Sequence, residues 1–170
     1  FEVTGKTASG VILLATVESG LVLKRKIRIA SPAGDMVIST RLANPFERPL
    51  HGCLRAHLEI DLGSPARDWR AWFLRRGQWE PVTNGPHGPG GVWHEADVPD
   101  GWFYWSDKTG RGVQQRWNRS EVGTIYLGGI GAEPTVLTLD LAHGRYDEPI
   151  SSRAAQTMTH SFGWREKAPA

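Results

Sequence analysis

Ser39–Leu62 reads STRLANPFERPLHGCLRAHLEIDL. A strand, a Pro-rich turn and a second strand follow one another in these 24 residues. The second strand sorts its side chains completely. Leu54, Ala56, Leu58, Ile60 and Leu62 fall on one face, and Arg55, His57, Glu59 and Asp61 on the other. Side chains alternate across a strand with period two, so the first set predicts a core face and the second a row of ionisable groups. Such a row is either an ordinary wet face or the floor of a polar site.

Apolar runs and alternating segments between Gly/Pro turns recur along the chain. They predict strands over Val11–Glu18, Leu21–Ala30, Met36–Asn44, Leu54–Leu62, Ala71–Arg75 and Gln78–Val82. Further on come Trp102–Ser106, Gly112–Trp117, Thr124–Gly128, Val136–Ala142 and Gln156–Trp164. Arg76-Gly77 and Asp107-Lys108-Thr109-Gly110 read as hairpin turns, and Asn84–Gly91 (NGPHGPGG) as a loop. Helical periodicity is confined to one short turn within Ser64–Trp72, where Ser64-Pro65 resembles a helix start. Many short strands between Gly/Pro turns predict an all-β, antiparallel sandwich or barrel with little helix. A chain of 170 residues without an internal linker is read as a single domain over 1–170. The start at Phe1 suggests a fragment or module cut from a longer protein, with a secreted or periplasmic setting slightly favoured over a cytoplasmic one.

Composition removes several classes of function. The formal charge is +2, and the only basic cluster, Lys24–Arg28, lies on an alternating strand. Nucleic-acid binding therefore has little electrostatic support. Lone Cys53 excludes an internal disulfide framework and a cysteine-rich zinc site. The six histidines are scattered without metal-ligand spacing, and no cofactor is called for. No apolar run reaches the length of a membrane span, so no membrane partner is expected. No serine sits in a G-x-S-x-G turn, and Gly128–Gly131 lacks the helix that a phosphate cradle needs.

His57 and Glu59 share a strand face, their Cβ atoms about 6–7 Å apart, close enough to meet one ligand. Asp140 faces opposite to Leu137, Leu139 and Leu141 and is a second candidate carboxylate. His160, between Met158 and Phe162, reads as a core histidine, and His94-Glu95 as a loop or lid element. The eight tryptophans either pack two sheets together or give a sugar ring a stacking platform. Trp105 is the residue placed in that platform.

Leu42–Phe46 (LANPF), Ala56-His57-Leu58-Glu59 and Ser106–Val113 (SDKTGRGV) occur in an order that resembles the galactose-mutarotase-like super-sandwich. Gly123–Gly128, Val136–Ala142 and Gln156–Trp164 are similar to its closing strands, so that the likeness runs from Val11 to Trp164. The resemblance implies a large antiparallel sandwich with a concave face that holds sugars. Enzymes of that family open an aldose ring with a His general acid and a Glu general base. His57 matches the acid; Glu133, in Glu133-Pro134, or Asp140 matches the base. A complete mutarotase is longer, and its N-terminal substrate-binding arginine and histidine positions have no counterpart here. Other members are non-catalytic modules on the C-terminal side of glycoside hydrolases. Three readings follow. The first is an accessory module that binds a saccharide through His57, Glu59, Trp105 and Asp140, or packs on a catalytic domain of the same parent protein. The second is an aldose 1-epimerase acting through His57 with Glu133 or Asp140. The third is a protein-interaction module with exposed aromatics.

Overall fold

The computed structural model describes the chain apart from residues 31–33, 62, 84–89, 130–134, 145–148 and 170. The expected antiparallel β-sandwich is found. The strands among the described residues are β1 (Glu2–Thr7), β2 (Gly10–Thr16), β3 (Val22–Ile29), β4 (Met36–Ala43), β5 (Arg55–Asp61), β6 (Trp69–Arg75), β7 (Gln78–Pro81), β8 (Gly91–His94), β9 (Gly101–Ser106), β10 (Arg111–Trp117), β11 (Thr124–Gly129), β12 (Val136–Ala142) and β13 (Ala155–Arg165). Nine form one sheet in the order β1-β2-β3-β4-β13-β10-β9-β6-β7, and four form a second in the order β5-β12-β11-β8. Among the described residues three short 3-10 turns supply the helix, one of them at Ala66–Asp68 inside the expected segment. No described helix is long and apolar enough to cross a membrane.

Two strands escaped the alternation pattern. β1 carries the weak run EVTGKT and is held by pairing with β2. β8 begins at Gly91, which the sequence puts in a loop; antiparallel pairing with β11 makes it a strand. Residues 84–89 of the expected loop lie outside the described residues, as does Leu62. The Arg76-Gly77 turn joins β6 to β7 with both residues at positive φ, as a two-residue hairpin loop requires.

The core lies between the sheets. From the four-stranded sheet come Ile60, Ile125, Leu127, Leu137, Leu139 and Leu141, all buried. The nine-stranded sheet answers with Trp69, Phe73, Trp102, Tyr104, Val113 and Trp117. Each such indole withdraws about 150–250 Å² from water, so these rings dominate the apolar stabilisation. Because indole N–H groups only donate, each buried one needs an acceptor. Trp69 Nε1 donates to Ser64 Oγ at 2.6 Å, Trp117 Nε1 to the Pro99 carbonyl at 2.8 Å and Trp102 Nε1 to Gln115 Oε1 at 3.0 Å.

Candidate functional site

Among the described residues β5 is an edge strand, paired only with β12. Its register sets His57 opposite Asp140, Glu59 opposite Thr138 and Arg55 opposite Ala142. The next strand continues the rows: Tyr126 pairs with Asp140, and Gly128 with Thr138. Since Leu137, Leu139 and Leu141 fill the core, Asp140 and Thr138 point away from it, as does His57. The candidate site is therefore the outer face of the four-stranded sheet.

A chain of polar contacts runs across it. His57 Nδ1 lies 2.8 Å from Asp140 Oδ1, and His57 Nε2 lies 3.2 Å from Glu59 Oε1. Arg55 Nη2 contacts Asp140 Oδ2 at 3.2 Å. Both carboxylate oxygens of Asp140 are thus engaged. The side chains of His57 and Glu59 are 51% and 57% exposed, against 13% for Asp140. The hydrogen bonds to Asp140 and then to Glu59 raise the His57 pKa above its ordinary value. The imidazolium form has two N–H donors, one for each carboxylate. Asp140 anchors the ring, while the longer and more exposed contact to Glu59 is the one an incoming hydroxyl can replace.

Tyr126 completes the row and was not among the candidates. Its ring leans along β11 over Gly128: a Cβ on that glycine would stand 2.4 Å from the phenol oxygen. Ile125 and Leu127, both buried, fix Tyr126 as outward-facing. That much was readable from alternation. Its place beside Asp140 follows from the pairing of β11 with β12.

The other sequence candidates separate. Glu133 lies outside the described residues. Trp105 requires correction. It alternates with core residues Trp102 and Tyr104, so it sits on the outer face of the nine-stranded sheet, with both sheets between it and His57. It is 9% exposed, its indole stacks on Phe103 at 6.5 Å, and its Nε1 donates to Asp107 Oδ1. A ring so covered offers little platform, and it cannot share a ligand with His57. His94 is also not a lid: it ends β8 and contacts Thr124 Oγ1 at 3.1 Å. His160 is the expected buried histidine, with Nδ1 2.8 Å from Gln115 Nε2.

The fold is that of the galactose-mutarotase-like β-sandwiches. A galactose mutarotase-like protein from Lactobacillus casei superposes with a TM-score of 0.71 at 10% identity, over 97% of this chain and 73% of its own. A TPR-domain containing protein from Parabacteroides distasonis gives the same TM-score at 10% identity, over 99% of this chain but only 35% of its own. The α-galactosidase from Lactobacillus brevis gives 0.58 at 11% identity, with 92% of this chain matched to 23% of the enzyme. The chain thus spans about a third of one neighbour and less than a quarter of another. No family model and no curated protein matches the sequence.

Proposed function

We propose that this chain is an accessory β-sandwich module of a carbohydrate-active protein, and that its His57 row contacts sugar hydroxyls. The observation that carries this reading is the double engagement of His57 by Asp140 and Glu59 on an open sheet face. Charged donors and acceptors held in fixed array suit hydroxyl recognition, and Tyr126, a residue 39% exposed, gives apolar contact beside them. The match of 92% of this chain to 23% of an α-galactosidase supports a catalytic domain of the parent protein as a neighbour.

Calorimetric titration against neutral mono- and oligosaccharides tests the reading. Binding is expected, and His57→Ala should abolish it without unfolding the protein. Absence of binding to every sugar tried sinks the saccharide role. The epimerase alternative draws on the 2.8 Å His57–Asp140 pair, with His57 as acid and Asp140 as base. Polarimetry on α-anomers decides it: mutarotation faster than buffer, and lost in His57→Ala, would establish the enzyme instead.

A further inference from the structure

The outer face of the nine-stranded sheet carries a different surface. Alternation and register put Lys24, Lys26 and Arg28 on that face of β3, with Arg41 directly across from Lys24. On β10, Arg116 falls on the same face, because Val113, Gln115 and Trp117 point inward. All five cations are exposed, and none has a carboxylate partner among the described residues. The described acidic groups nearby are occupied or stand two strands away. Asp35 is held by Arg165 at 2.7 Å, Asp107 is held by Arg70, and Glu121 accepts from the Thr159 N–H. Glu2 lies on edge strand β1, two strands from Arg41's neighbour Lys24. Like charges set directly across from one another destabilise a sheet, so this arrangement asks for a counter-anion.

Between the cations the face carries hydroxyl groups, with Val37 directly across from Arg28. Ser39 contacts Thr159 at 3.2 Å in the row of Lys26, and Ser161 stands between Val37 and Arg116. A cleft of about 320 Å³ opens there, lined by Asp35, Gln114, Arg116, Ser161, Phe162 and Arg165. Arg116 also lies 5.8 Å above the Trp79 ring, at the aromatic end of the face.

We infer that this face binds an acidic polysaccharide, one whose sugar rings carry carboxylates. Guanidinium forks match carboxylates bidentately, the ammonium groups of Lys24 and Lys26 add unspecific attraction, and the Ser/Thr/Gln positions between them suit ring hydroxyls. Residues two apart on β3 are about 6.7 Å apart, so the cation row spans a length of two to three sugar units. The site is independent of the His57 row and lies on the opposite side of the sandwich.

Affinity electrophoresis in gels containing polygalacturonate is the test, with dextran as the neutral control and duplex DNA as a second polyanion. Polygalacturonate should retard the protein and dextran should not. Retardation should weaken at least about tenfold between about 50 and 200 mM salt, and to the same degree in the Lys24→Glu/Lys26→Glu/Arg28→Glu variant at low salt. These residues are exposed, and Arg116→Gln gives a second, milder loss should the triple variant melt early. His57→Ala should leave retardation unchanged, which separates failure here from failure of the neutral-sugar site. Retardation by dextran equal to that by polygalacturonate overturns the inference. So does binding to DNA, or to a sulfated dextran of matched charge density, that is as tight as binding to polygalacturonate.

Discussion

Replacing His160 with asparagine should flatten the acid limb of the stability curve. The wild-type histidine is fixed in one tautomer by a chain of donors. Trp102 Nε1 can only donate, so the Gln115 atom it meets, 3.0 Å away, is the carbonyl oxygen. The Gln115 amide nitrogen then donates to His160 Nδ1 at 2.8 Å, which leaves the ring proton on Nε2. Protonating Nδ1 would set two donors face to face inside a core beside the Arg25 charge. Burial, reinforced by Arg25, lowers the His160 pKa from 6.5 to about 4. Between these values the unfolded chain binds a proton that the folded chain refuses. Stability therefore rises with pH: the contribution is complete above about pH 6.5 and is lost as pH falls toward 4. At about 1.4 kcal/mol per pH unit, the whole interval amounts to about 3 kcal/mol.

Asparagine presents an oxygen near the Nδ1 position and does not titrate. Urea unfolding midpoints at pH 7 and pH 4.5 for both proteins give the comparison. His160→Asn should be the less stable protein at pH 7, because it loses ring packing, but its penalty should shrink by about 2–3 kcal/mol at pH 4.5. Carboxylate titration is common to both proteins and cancels. An unchanged difference between the two curves would refute the tautomer assignment, since it would mean that His160 takes up its proton in place. His57 acts with the opposite sign: its raised pKa favours the fold below about pH 6.5 and loses that contribution as pH rises through the folded value.

Other consequences are local. Asn44, 2% exposed, bonds the carbonyls of Arg48, Ile150 and Ser151 through Nδ2 and accepts the Phe46 N–H through Oδ1. Asn44→Ala should cost about 2–4 kcal/mol in chemical denaturation, because it strands several backbone groups at once; a loss under about 0.5 kcal/mol would show that water replaces them. Gly163 lies beneath the Asp35–Arg165 pair, and a Cβ there would stand 1.8 Å from Asp35 Oδ1. Gly163→Ala should part the pair and destabilise by about 1–3 kcal/mol; an unshifted thermal midpoint would show that the carboxylate simply swings away.

Most strands of this protein are legible in local apolar runs and alternation, and so are the inward and outward sides of β5. The burial of His160 was legible too, from the apolar residues two positions to either side. Strand pairing was not. His57 and Asp140 are 83 residues apart, and they meet because β5 and β12 settle in one register. A one-residue slip would send every side chain of an edge strand to the wrong face, so that register is enforced by the core as a whole. The same holds for the tryptophans. Alternation puts Trp102 and Trp105 on opposite faces of β9, but only packing decides what covers each. Trp102 is sealed by the second sheet, whereas Trp105 is covered from outside by Phe103 and the β9–β10 turn. Period-two patterning belongs to the segment itself, and the sequence alone carries it. Which polar groups become neighbours depends on contacts between distant strands, and the tertiary structure alone settles that.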